Sequence, residues 1–306
     1  MLFQTNLPQT ALPISPFWRH PCRVKLSAAE IRRAVRAALA EDIGRGDATT
    51  LATVPAHLAA RAVMRAREPL VVAGLGFAEA AFRALSSRVE IQWAAREGRR
   101  VKAGAALLKI SGPARAILGA ERVALNFVQR LSGVATLTAQ FVHAVHGARA
   151  RVLDTRKTTP GWRRFEKYAV SCGGGTNHRL GLHDMILIKD NHLAALREAK
   201  PNAIAAAVAR ARRKFPKLKI EVEADRLDQV QQALDAGVEM ILLDNMAPAQ
   251  LRRAVKMAQG RARCEASGGV NLGNARAIAQ TGVDFISVGA LTHSARAVDI
   301  GLDFKD

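Results

Sequence analysis

The sequence predicts an α/β protein in two parts: an α+β mixture to about residue 129, then repeated βα units forming a parallel sheet or barrel. Three observations predict it. Beyond residue 130, short apolar stretches recur at intervals of roughly 20–35 residues with helical patterns between them. Each stretch is followed directly by polar or glycine-rich residues. Ahead of residue 130 that rhythm is absent, and helix and strand patterns mix.

Residues 1–26 read as an irregular extension, with Pro8, Pro13, Pro16 and Pro21 breaking any regular pattern. Order begins at Ser27-Ala-Ala-Glu30, a capping box in which the Ser oxygen and the Glu carboxylate satisfy orphan backbone donors. The spacing then predicts a helix from Ile31 to about Glu41, ended by Gly44 and Gly46. Ala62–Ala66 and Val89–Ala94 read as strands, and Gly74–Leu85 as a strand–helix passage. Gly98–Leu118, punctuated by Gly104 and Gly112, reads as short strands with tight turns. Gly119–Leu131 is helix-like, and Val134–Val145 is a helix. The barrel strands are Ala150–Leu153, Met185–Ile188, Lys219–Val222, Met240–Leu243, Arg263–Ala266 and Phe285–Val288.

Composition narrows the function. Hydrophobic residues at 49% and charged residues at 24% are ordinary for a soluble globular chain. The 46 Lys+Arg against 26 Asp+Glu give a formal charge of +20, which fits a nucleic acid, an anionic metabolite or a basic solvated surface. Aromatic residues at 5%, with a single Tyr, offer few stacking platforms for single-stranded nucleic acid. Cys22, Cys172 and Cys264 form no C-x-x-C pair, which argues against a disulfide framework and a zinc ribbon. No apolar run approaches the ~20 residues that cross a bilayer, nor is there a signal-peptide pattern. A cytoplasmic protein without membrane or nucleic-acid partners is expected.

The strand ends carry the chemistry, and in a barrel the site lies at the C-terminal ends of the strands. After the first barrel strand come Arg156 and Lys157. His178 and Arg179 follow the triple glycine at 173–175, and Lys189 ends the next strand. These cations sit beside apolar strands, where an unpaired charge is costly, and they outnumber the nearby acids. A strongly anionic ligand follows, Arg suiting carboxylate and Lys phosphate; the alternative is a set of internal ion pairs. In Ile220-Glu-Val-Glu-Ala, alternation turns Glu221 and Glu223 to one face, into the barrel. Asp244 is their companion on the next strand, and such carboxylates hold a metal, a sugar hydroxyl or a developing positive charge. The alternative is that they only neutralise the interior cations. Ser267-Gly268-Gly269 and Gly289 to His293 follow late strands, where backbone N–H groups commonly hold phosphate.

At this point the sequence resembles a known family. L-D-T-R-K-T-T-P-G-W-R at 153–163 and K-Y-A-V-S-C-G-G-G-T-N-H-R-L-G-L at 167–182 are similar to motifs of the quinolinate phosphoribosyltransferases. So are L-I-K-D-N-H at 187–192, E-V-E-A at 221–224, L-L-D-N at 242–245, S-G-G-V at 267–270 and V-G-A-L-T-H-S at 288–294. E-D-I-G-R-G-D-A-T-T at 41–50 and E-R-V-A-L-N-F-V-Q-R-L-S-G-V-A-T at 121–136 agree too, so the resemblance covers roughly residues 27–304.

The resemblance implies a type II phosphoribosyltransferase fold. An N-terminal α/β sandwich (27–129) precedes an open, TIM-like α/β barrel (130–291), and the tail 292–306 returns to the first domain. It implies homodimers with shared active sites, or hexamers built from them. Arg156, His178, Arg179 and Lys189 bind the quinolinate carboxylates, joined by Arg122 from the neighbouring subunit. Lys157, Glu223 and Asp244 face the ribose, pyrophosphate and Mg2+ of phosphoribosyl pyrophosphate, the two carboxylates being metal ligands. Ser267, Gly268, Gly269, Gly289 and His293 surround the ribose phosphate, and no organic cofactor is needed. Three other readings compete: a type II enzyme for another aromatic acid, a Schiff-base aldolase using Lys189 or Lys157, and a nucleic-acid binder.

Overall fold

The structure, a computed structural model, describes residues 24–305. Nearly all of the expected N-terminal extension lies outside the described residues. Ser27 opens helix α1 (Ala28–Ile43): its hydroxyl accepts from the Glu30 N–H, and the Glu30 carboxylate accepts from the Ser27 N–H. Asp47 caps α2 (Ala48–Thr53) by accepting from the Thr50 N–H. There follow β1 (Ala59–Ala66), β2 (Leu70–Val71), α3 (Leu75–Leu85), β3 (Glu90–Trp93), β4 (Arg100–Val101) and β5 (Ala106–Pro113). Strands β1, β3 and β5 pair antiparallel in one sheet, and α3 buries Leu75, Phe77, Ala78, Ala81 and Phe82 against its neighbours.

Next comes α4, one helix of 31 residues from Ala114 to Ala144. Here the structure differs from the sequence expectation, which ended short strands at Leu118 and began separate helices beyond. Gly119 and Gly133 lie inside α4 rather than at turns. A Cβ on Gly133 would stand 1.9 Å from the Arg296 carbonyl, so this glycine serves close packing of two backbones. The expected domain boundary at 129–130 therefore falls within a continuous helix. Aromatic packing crosses the same junction: Phe127 of α4 stacks on Phe77 at 4.7 Å and on Trp162 at 5.0 Å.

The second part alternates strand and helix. Its elements are β6 (Arg151–Leu153), α5 (Arg163–Cys172), β7 (Ile186–Ile188), α6 (Asp190–Ala194), α7 (Ala203–Lys214), β8 (Ile220–Ala224), α8 (Leu227–Asp235) and β9 (Met240–Asp244). Then follow α9 (Pro248–Ala258), β10 (Arg263–Ser267), α10 (Ala275–Ala279), β11 (Phe285–Ser287) and α11 (Ala290–His293). The six strands pair in parallel in the order β6-β11-β10-β9-β8-β7. Among the described residues β6 and β7 do not pair with each other, so this is an open barrel. The last strand, β12 (Ile300–Lys305), runs antiparallel to β1 and completes the first sheet in the order β12-β1-β5-β3.

The barrel interior is graded. At one end Leu153, Met185, Met240 and Phe285 form a small apolar cluster of their own. On β9, Met240 alternates toward Leu242 and Asp244; on β10, Glu265 alternates toward Ser267. Polarity thus rises toward the carboxyl ends of the strands. The outer faces, such as Ile220, Val222 and Ala224 of β8, join the main core with the helices.

Candidate active site

Along the carboxyl ends of the strands lies a cavity of about 600 Å³. The Asp154 loop forms one wall. Asp154 and Lys167 are fully buried and paired, Asn177 Nδ2 donates to Asp154 at 2.6 Å, and the His178 N–H donates to Asp154 at 2.9 Å. Asp154 thereby ties the end of β6 to the strand-like segment at Thr176, which bridges Leu153. The two segments present Arg156, Lys157, His178 and Arg179 to the cavity.

The bonding of these cations differs. His178 Nε2 lies 3.0 Å from Glu221 and 3.4 Å from Glu265. Burial opposes charge on the ring, but Glu265 and Glu221 outweigh it and hold its pKa at about 10. Lys189 Nζ donates to Glu223 at 2.6 Å. Among the described residues no acid pairs with Arg156, Lys157 or Arg179, so the excess of cations expected from sequence narrows to these three. Arg156 Nε is buried without a hydrogen bond. Burial and the neighbouring Arg156 both disfavour the charge on Arg179, countered in part by Glu221 and Asp184. Two guanidinium groups held this close call for an anion between them.

Glu223 and Asp244 line the cavity from adjacent strands, and Asp244 accepts from Asn245 Nδ2 at 2.9 Å. Ser267, Gly268, Gly269, Gly289 and His293 line it as well. Gly268 has φ +90°, and a Cβ there would meet Asn245 Oδ1 at 2.2 Å, so no larger residue fits this turn. One detail departs from expectation: α10 begins only at Ala275, so the amides of Gly268 and Gly269 belong to a loop rather than to a helix N-terminus. Of the residues singled out from sequence, two do not line the cavity: Glu221, fully buried against His178, and Arg122. Arg122 is exposed on α4.

Comparison with known proteins decides the family. The model of the quinolinate phosphoribosyl transferase N-terminal domain matches residues 47–132, and that of the C-terminal domain matches residues 134–303. The chain belongs to the quinolinate phosphoribosyltransferase family. Within that family it is 45% identical over 280 residues to the nicotinate-nucleotide pyrophosphorylase [carboxylating] of Mycobacterium leprae, covering 89% of this chain and 96% of the relative. It is 40% identical over 289 residues to the chloroplastic enzyme of that name from Arabidopsis thaliana, covering 89% of this chain and 82% of the relative. The solved nicotinate-nucleotide pyrophosphorylase of Francisella tularensis superposes with a TM-score of 0.87 at 39% identity, over 92% of this chain and 99% of that one.

In this quinolinate phosphoribosyltransferase, sequence reasoning missed Glu265 as a site residue, along with the supporting Asp154, Lys167 and Asn177. Glu265 was legible by the alternation that revealed Glu221 and Glu223, since it shares a face of its strand with Ser267. The Asp154–Lys167 pair left no such signal, because its members lie in different elements.

Proposed function

We propose that this chain transfers the 5-phosphoribosyl group from phosphoribosyl pyrophosphate to quinolinate with decarboxylation, giving nicotinate mononucleotide, pyrophosphate and carbon dioxide for NAD biosynthesis. The carrying observation is the buried, unbonded Arg156 Nε beside Arg179 in a cavity that also holds Lys189. A pyridine dicarboxylate meets such a cluster with two carboxylates. Glu223, which accepts from Lys189, and Asp244 on the next strand face the ribose and stabilise positive charge as the ring nitrogen displaces pyrophosphate from the anomeric carbon. Lys157, the 267–269 loop and the Gly289–His293 segment that contains α11 hold the phosphates. The product is a pyridinium, whose nitrogen accepts electrons as the adjacent carboxylate departs.

The residues fit Mg2+. Glu223 and Asp244 offer hard oxygen ligands on adjacent strands beside open space, and magnesium is commonly held by one or two carboxylates plus substrate phosphates. Bound there, the ion would supply charge neutralisation of the leaving pyrophosphate.

The test is an assay with both substrates and Mg2+ that follows nicotinate mononucleotide and carbon dioxide. Nicotinate in place of quinolinate is expected to react on the order of 10⁴-fold less efficiently, because cations matched to the missing carboxylate are left unpaired. Comparable kcat/KM for the two acids refutes the reading.

The site is shared across a homodimer, and the protein works in the cytoplasm. Arg122 supports the sharing: exposed on α4 and absent from its own cavity, it is free to reach a partner's site across a two-fold interface. After subunit exchange, Arg122→Ala and Lys189→Ala, each nearly inactive, are expected to regain about a quarter of wild-type activity, since roughly half of the dimers are mixed and each has one intact site. If exchange is verified by mass and activity does not rise, Arg122 does not act in trans.

A further inference from the structure

Below the ribosyl-facing carboxylates lies a buried group that ribosyl transfer leaves unused. Glu221 and Glu265 are 0% and 1% exposed, and both reach His178 Nε2. Glu221 Oε1 and Glu265 Oε2 make no hydrogen bond among the described residues. The ring is clamped through its own backbone, its N–H on Asp154 and its carbonyl accepting from Lys167 Nζ at 3.1 Å. Among the described residues nothing bonds His178 Nδ1, and the side chain lines the cavity. This is a fixed imidazole with two acids behind it and one ring nitrogen available to a ligand.

We propose that His178 is the acid that protonates C2 of the pyridine ring as the 2-carboxylate leaves, with Glu221 and Glu265 as the positioning residues that hold its imidazole. The inference rests on the reading of the cavity as a quinolinate site. Once ribose is joined to the ring nitrogen, the bond from C2 to its carboxylate breaks. Carbon dioxide departs and the electron pair stays on C2, in the ring plane beside the positive nitrogen. C2 then takes the proton from Nδ1: a C–H bond forms, the N–H bond breaks, and the imidazole becomes neutral. Water entering as product leaves restores the proton. Without a donor in reach, carbon dioxide held beside that electron pair is recaptured.

The placement suits the step. C2 adjoins the nitrogen that receives ribose, so its donor must stand near the ribosyl side. Glu221 lies two residues before Glu223 on β8, one layer of inward side chains deeper by about 6–7 Å. The other cations are poorer donors. Arg156 and Arg179 do not give up protons. Lys189 is bound to Glu223, and Lys157 lies against Gly289 at the phosphate end. With Glu265 and Glu221 raising its pKa to about 10, His178 enters each cycle protonated at neutral pH.

The test is a single-turnover quench with quinolinate labelled in the 2-carboxylate, following pyrophosphate and carbon dioxide together. In the wild type the two are expected to appear in step. In His178→Gln, carbon dioxide is expected to lag pyrophosphate by at least tenfold while the dicarboxylate mononucleotide accumulates; Glu265→Gln, which keeps the ring and loosens its hold, shows a smaller lag. Glu265→Gln carries the test alone if the His178 variant does not fold. If pyrophosphate and carbon dioxide slow equally, or stay matched in both variants, His178 serves only binding and the proposal fails. Absence of pyrophosphate in the wild type would instead refute the proposed function.

Discussion

Replacing Lys167 with methionine is expected to destabilise the protein by about 3–5 kcal/mol, read as a lowered urea midpoint at unchanged slope. Both partners of the Lys167–Asp154 pair are fully buried, so the variant leaves Asp154 without its main partner in a place water does not reach. Burial disfavours charge on each; their mutual attraction and the hydrogen bonds from Asn177 and the His178 N–H offset part of that cost. Removing Lys167 takes away the attraction and leaves only the Asn177 and His178 N–H bonds to offset the cost of burying Asp154. The same substitution loosens both segments that carry Arg156, Lys157, His178 and Arg179, so activity per folded molecule falls too. The exposed Arg197–Glu198 pair is the contrast: Arg197→Ala should shift stability by no more than about 0.5 kcal/mol. Equal effects from both variants would contradict this account of the β6 loop.

Glu223→Ala and Asp244→Ala are each expected to lower kcat by about 10²–10³-fold while quinolinate binding, measured by direct titration, is retained. Their work is on the ribosyl side, where charge develops only in the transition state. The structure adds a reason for binding to survive at Glu223. Its carboxylate occupies Lys189 Nζ at 2.6 Å, so its removal frees that ammonium for the substrate rather than taking a contact away. Loss of quinolinate binding with normal turnover at saturation would overturn the division of the cavity into an acid-binding and a ribosyl edge.

Much of this was legible in the residues themselves. The six parallel strands were readable because each is a short apolar run closed by chemistry: Met240–Leu243 in sequence is Met240–Asp244 in structure, and Arg263–Ala266 is Arg263–Ser267. Barrel strands make this easy, since one face meets helices and the other meets the site, and the polar residues mark where the pattern stops. Helix α4 was legible as two helical stretches, Gly119–Leu131 and Val134–Val145, but not as one continuous helix beginning at Ala114. Its glycines carry the signature of turns, and only the distant Arg296 carbonyl explains Gly133. The pairing within the cation cluster was hidden for a similar reason. Sequence shows that His178 and Lys189 are cations near acids, but which acid each one meets depends on how β7, β8 and β10 are ordered in the sheet. That order depends on contacts between distant segments, which no local pattern encodes.

The strand pairing between β1 and β12 has a consequence for biosynthesis. On a ribosome the whole barrel emerges between these two neighbours, so the first sheet waits with the edge of β1 open until residues 300–305 arrive. An open edge strand invites pairing with other chains. Nascent protein stalled or cleaved before Ile300 would carry that sticky edge beside an otherwise assembled barrel, making the final strand a latch on solubility during synthesis.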